Sequence, residues 1–95
     1  MVARMAMIAV WLKIDEARVV AALQEAGEKL ESAEGEVVLD FSSVRQVDTN
    51  SLRAMKEFVD IADQKAIKAG LRGVSVDVYK VLKLVRLTSR FSFVN

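Results

Sequence analysis

The chain has no cysteine, no histidine and no proline among its 95 residues. Without cysteine there is no disulfide framework, no thiolate nucleophile and no cysteine-based zinc site. Without histidine the usual general base and the commonest metal ligand are missing. Together these absences point away from a free-standing enzyme and away from a bound metal or cofactor. Without proline, and with only four glycines, nothing reads as a flexible linker, so one domain is expected. Charge of one sign is also lacking: the net is +1, whereas a nucleic-acid binder would show a basic face or stripe. The longest apolar stretch, Met5 to Leu12, is too short to span a bilayer, and no small-residue cleavage pattern follows it. The expectation is a cytoplasmic protein that neither inserts into membranes nor binds nucleic acid.

What the chain does contain is organised around Glu36 to Leu52. Val37-Val38-Leu39 is an unbroken apolar run closed by Asp40 and Phe41. Continuous rather than alternating apolar residues mark a strand covered on both faces, as in a parallel sheet. A polar turn at Ser42-Ser43 follows, then an apolar return through Val44 and Val47. Next come Asp48-Thr49-Asn50-Ser51, four residues that all favour helix N-termini, ahead of an amphipathic stretch from Leu52. A buried strand thus delivers a hydroxyl-rich helix start to the surface.

Before this centre, Met5 to Ile14 predicts a strand, with Ile8, Val10 and Leu12 on one face and Met7, Ala9 and Trp11 on the other. Both faces are apolar, which places the strand inside the sheet. Asp15 caps a helix to about Ser32, whose inner stripe is Val19, Leu23, Ala26 and Leu30. After the centre, a helix from about Asn50 to Lys68 buries Leu52, Met55, Val59, Ala62 and Ala66, with Phe58 beside them. Gly70 reads as its stop. Residues 71–75 are then left as a short strand, expected to be the weakest of the sheet and to offer an edge for a second copy. Ser75 caps a third helix with Val78, Val81, Leu82 and Val85 inward. Phe91 to Val94 alternates like a short edge strand. Arg72, Lys80, Lys83, Arg86 and Arg90 read as a solvated face, and Trp11 and Tyr79 as core or rim packing. Strand and helix alternate throughout, which predicts an α/β domain with a mostly parallel sheet and right-handed crossovers.

The run Leu39-Asp40-Phe41-Ser42-Ser43-Val44-Arg45-Gln46-Val47-Asp48-Thr49-Asn50-Ser51-Leu52 resembles the signature of STAS domains, the sulfate-transporter and anti-sigma-factor-antagonist family. Leu12-Lys13-Ile14-Asp15 stands where that family has its lead-in to the first helix, and Gly73-Val74-Ser75 resembles its entry to the third. Two residues depart from the pattern: Ser51 stands where the family usually has glycine, and Asn50 where it usually has a small residue.

The resemblance to stand-alone bacterial antagonists implies a regulatory protein-binding module. Its switch would be phosphorylation of Thr49, the hydroxyl residue just after Asp48, by a partner serine/threonine kinase of the anti-sigma-factor type. ATP would be bound by the partner. The docking surface would comprise Asp15, Asp48, Thr49, Asn50, Ser51 and Arg53, and a homodimer is compatible with it. The residues themselves leave the bland reading open, because Asp-Thr-Asn-Ser is also simply a good cap. A second role implied by the resemblance is an accessory subunit that docks the ATPase of a phospholipid-transporting ABC system.

Overall fold

A computed structural model describes residues 9–30 and 35–94. Among these residues four strands form one parallel sheet: β1 (Ala9–Lys13), β2 (Glu36–Asp40), β3 (Lys68–Arg72) and β4 (Ser92–Val94), side by side in chain order. Three helices connect them: α1 (Val19–Lys29), α2 (Thr49–Gln64) and α3 (Val76–Leu84). A single 3-10 turn, Glu16–Arg18, precedes α1. The alternating α/β order expected from the sequence is the order observed.

One face of the sheet makes the core. Val37 and Leu39 of β2, with Ala69 and Leu71 of β3, join one cluster with Leu23 and Ala26 of α1, Phe58 and Val59 of α2, and Val78 and Leu82 of α3. The helical stripes read from the sequence are largely the buried ones, because apolar residues three and four apart share a helix face. Val81 is half-buried and Val85 exposed, so the inner face of α3 is narrower than its apolar spacing. The opposite face of the sheet carries Trp11, Val38, Gly70 and Arg72, where the Arg72 guanidinium lies 5.6 Å from the centre of the Trp11 ring. Trp11 and Tyr79 are both surface residues, 52% and 42% exposed, so neither belongs to the core.

Three expectations need correction. The first strand was expected inside the sheet, but among the described residues β1 pairs with β2 alone and lies at the edge; Met5 to Ile8 lie outside the described residues. The second helix ends at Gln64, not at Lys68, and Ala66 is exposed rather than part of the stripe. The strand predicted over 71–75 instead occupies 68–72 and is paired on both sides, by β2 and by β4, so it is no open edge. Lys65-Ala66-Ile67-Lys68-Ala69 has helix-favouring composition, but the pairing of Lys68 and Ala69 with Glu36 and Val37 of β2 overrides that weak preference. Gly70 lies within β3, where an added Cβ would stand 3.3 Å from Val94 Cγ2 and 3.5 Å from Val38 Cγ2. It is a close-packing residue and not a helix stop.

The real stop of α2 lies four residues earlier. The Ile67 N–H donates to the Ala62 carbonyl (2.8 Å) and the Ala66 N–H to the Asp63 carbonyl (3.1 Å), with Ala66 at φ 57°. This is the Schellman arrangement, whose left-handed position normally falls to glycine. α3 ends the same way, with Arg86 at φ 63° and the Leu87 N–H on the Leu82 carbonyl at 2.8 Å. A Cβ in the left-handed region costs about 1–2 kcal/mol, and glycine gives back roughly 0.4–1 kcal/mol through the freer unfolded chain. Ala66→Gly is therefore expected to stabilise the domain by about 0.5–1 kcal/mol in urea melts, with an unchanged m-value.

Candidate functional site

The site lies at the carboxyl ends of the parallel strands, where the loops after β1, β2 and β3 converge. Open parallel sheets place their functional groups at this end. The β2–α2 loop is held at several points. The Phe41 N–H donates to the Arg72 carbonyl (2.8 Å), the Val44 N–H to the Phe41 carbonyl (2.9 Å), and the buried Phe41 and Val44 side chains anchor it in the core. Asp40 closes the strand by accepting the Ser42 N–H at 2.9 Å. The Ser42 hydroxyl, then that N–H, with Arg72 at 3.8 Å, hold the Asp40 carboxyl below its ordinary pKa.

Asp48 is the N-cap of α2 and accepts the Ser51 N–H at 2.8 Å. That N–H, followed by the Ser51 hydroxyl, lowers the Asp48 pKa. Thr49 is therefore the first residue inside the helix rather than its cap, and it is exposed. Its hydroxyl has no hydrogen-bond partner among the described residues. Asn50 and Arg53 are exposed as well, and Arg53 stands one turn beyond Thr49 along α2.

The residues singled out from the sequence fall into separate places. Asp15 caps its own 3-10 turn, accepting the Ala17 N–H at 2.9 Å. Ser51 is 6% exposed, turned inward toward Asp48. Thr49 and Arg53 share a groove with Leu52, Val85 and Arg86. Asp48 and Ser51 line a different cleft, with Glu16, Arg45 and Gln46.

Glu16 was not foreseen. Its carboxylate accepts the N–H groups of Arg45 (2.5 Å) and Gln46 (3.1 Å), latching the loop before α2 to the turn after β1. The partners are 29 and 30 residues apart in the chain, and no local pattern marks such a pairing. Arg90 was also misjudged as merely solvated: it donates to Asp63 (2.6 Å) and Asp60 (2.8 Å), and Asp60 also meets Lys56 at 3.1 Å. Arg90, then Lys56, lowers the Asp60 pKa, while Asp63 and Asp60 raise that of Arg90.

The pH dependence follows from these shifts. Asp40, Asp48 and Asp60 have folded-state pKa values below those of the unfolded chain. Their contribution is present above the unfolded carboxylate value, about 3.9, and is lost as pH falls through the lower folded values. With no histidine, no side chain of ordinary pKa titrates between about pH 5 and 8. Urea midpoints should thus stay level from about pH 5 to 8 and decline below about pH 4.

Among the described residues no helix is long and apolar enough to cross a membrane, and no group of three or more acidic residues could hold a metal ion.

No curated protein matches the chain in sequence. Among solved structures, it is similar to a Thermotoga maritima protein described as a candidate anti-sigma factor antagonist, with TM-score 0.75 and 15% identity over 95% of this chain and 83% of that one. The NMR structure of the same protein gives TM-score 0.77 at 15% identity, covering 97% and 78%. A sulfate transporter family protein from Wolinella succinogenes gives TM-score 0.76 at 18% identity, covering 94% and 80%. At such identities the likeness is one of fold. The STAS domain family model matches residues 7–95, spanning the strand, the Asp48-Thr49 helix start and the Gly73-Val74-Ser75 turn from which the resemblance was read; the chain therefore belongs to the STAS domain family.

Proposed function

We propose that this STAS domain is a regulatory protein-binding module of the anti-sigma-factor-antagonist kind, switched by phosphorylation of Thr49. The observation that supports this most is the division of labour at the start of α2. Asp48 does the capping, which leaves the exposed Thr49 hydroxyl without a structural duty. The kinase is a partner protein that carries ATP: Thr49 Oγ1 attacks the γ-phosphorus, ADP leaves, and the hydroxyl proton passes to a base of the partner. This chain has no phosphate-cradling glycine-rich loop, so its part is to present the hydroxyl, as a non-enzymatic protein of the cytoplasm. The phosphate would sit at the N-terminus of α2, which favours it, but beside Asp48, which repels it. Bulk and charge would then displace a partner docked over Asp48, Thr49, Asn50 and Arg53. Of the other two residues, Asp15 caps the turn after β1 and Ser51 lies buried at the helix start.

The test is titration of the co-encoded kinase-type partner against wild type, Thr49→Ala and Thr49→Asp, with mass spectrometry after incubation with ATP. Thr49→Ala should keep affinity, remain unphosphorylated and change stability by less than about 0.5 kcal/mol, as expected of an exposed position that is not the cap. Thr49→Asp should weaken binding about tenfold, a loss near 1.4 kcal/mol. Equal affinity of all three proteins, with no phosphate on Thr49, would reject the switch. The same surface would then be read as a constitutive dock for the ATPase of a phospholipid-transporting ABC system.

A further inference from the structure

The groove that begins at Thr49 runs between the first half of α2 and the turn after α3, and encloses about 600 Å³. Its walls carry four cations. Two are already engaged: Lys56 on Asp60, and Arg90 on Asp60 and Asp63. The other two, Arg53 and Arg86, have no ion-pair partner among the described residues. They stand on opposite walls, one on α2 and one in the turn that follows α3. Arg86 is moreover held at φ 63° by the helix stop, which fixes its main chain instead of leaving it to swing. Between them the floor is apolar: Leu52 is half-buried, Val85 is 46% exposed and Leu87 is buried.

We infer that this groove docks an acidic segment of a partner protein, with carboxylates on Arg53 and Arg86 and an apolar side chain on Leu52 and Val85. Guanidinium groups pair with carboxylates in a planar, two-bonded fashion, which rewards discrete acidic side chains in a fixed spacing. Asp60 and Asp63 border the groove and break its positive field, so a continuous polyanion such as nucleic acid fits it poorly. The domain's net charge of +1 supplies no wider attraction to one.

The groove also suggests how the switch operates, a step that rests on the reading of Thr49 above. Thr49 lies on its rim, and Arg53 follows at the i+4 position, the spacing at which helical side chains meet. A phosphate on Thr49 would take Arg53 for itself. It would then compete, within the chain, with the carboxylate of the docked segment.

The experiment titrates the full chain, labelled with nitrogen-15, with a short synthetic peptide of alternating Glu and Leu and with its Gln-for-Glu counterpart. Amide shifts should centre on Thr49, Arg53, Arg86 and Leu87, and binding should weaken as salt rises. Affinity should fall about tenfold for the Gln peptide, and about tenfold for the acidic peptide on the Arg53→Gln/Arg86→Gln variant, since a hydrogen-bonded charge is worth roughly that factor. Equal binding of the two peptides, an unaffected double variant, or shifts centred on Val76, Tyr79 and Phe93 would each overturn the assignment. So would binding to phosphatidylserine vesicles that is lost in the double variant, which would make the groove a lipid-facing surface. A chain synthesised with phosphothreonine at position 49 should bind the acidic peptide about tenfold less tightly, and undiminished binding would overturn the competition. Failure of the partner kinase to modify Thr49 would reject the proposed switch while leaving the peptide result standing, so the two readings fail separately.

Discussion

Met55→Ala is expected to cost about 2–5 kcal/mol of folding stability, whereas Leu52→Ala, one helical turn earlier, should cost only about 1 kcal/mol. Both residues belong to the apolar stripe of α2, and from the sequence they are equivalent. The structure separates them: Met55 is 0% exposed, at the centre of the cluster that joins α2 to Val37, Leu39 and Leu71, while Leu52 is half-buried at its rim. Truncating Met55 removes its transfer free energy and leaves a cavity that the surrounding core cannot collapse to fill. Truncating Leu52 leaves a notch open to water, with no cavity to maintain. Chemical denaturation of the two variants side by side tests this. Equal losses would mean that the first turn of α2 is packed as deeply as its middle.

Gly73→Ala is the second large effect, expected to destabilise by about 2–5 kcal/mol, the sum of a left-handed backbone cost and a steric one. Gly73 has φ +71°, a conformation that a Cβ disfavours. An added Cβ would also stand 2.8 Å from Ser42 Cβ and 3.0 Å from Ser42 Cα. The obstructing atoms belong to the main chain and the root of a side chain, so no flexible tip can swing aside. Ser42 is fixed in turn by the Asp40 carboxylate and by the neighbouring Phe41 N–H on the Arg72 carbonyl. The clash therefore pushes directly on the β2–α2 loop that presents Asp48 and Thr49. Denaturant melts should show the loss, and amide shifts of Ser42 through Asp48 should move with it. A variant as stable as wild type, with those amides unmoved, would show that the loop yields freely.

The two large effects differ in how far they could be seen in advance. The Met55 stripe was legible, because a period of 3.6 residues is written in the sequence and any sheet it packs against will bury the same face. Gly73 was legible only as one residue of a short, weak strand and as the start of the Gly73-Val74-Ser75 entry to the third helix. Its real duty, close approach to Ser42, depends on a contact between the β3 end and a loop 31 residues earlier. The displaced strand has the same origin. β3 begins at Lys68 because β2 pairs with all of Lys68–Arg72, joined from Gly70 onward by β4 on the other side, and no residue within that stretch announces those partners.

By itself, the sequence determined the alternation of strand and helix, the caps at Asp15 and Ser75, the buried run of β2, and the signature that places the chain in the STAS family. Each of these is encoded over a few neighbouring residues, through backbone preference, capping chemistry or periodicity. Only the tertiary structure decided that Asp48 and not Thr49 does the capping, that Ser51 turns inward, and that Glu16 latches the loop. The same holds for the groove that Arg53 of α2 and Arg86 of the turn after α3 both line. The latch and the groove join residues from separate elements, and how α2 seats on the sheet decides which of Asp48 to Ser51 caps and which is buried.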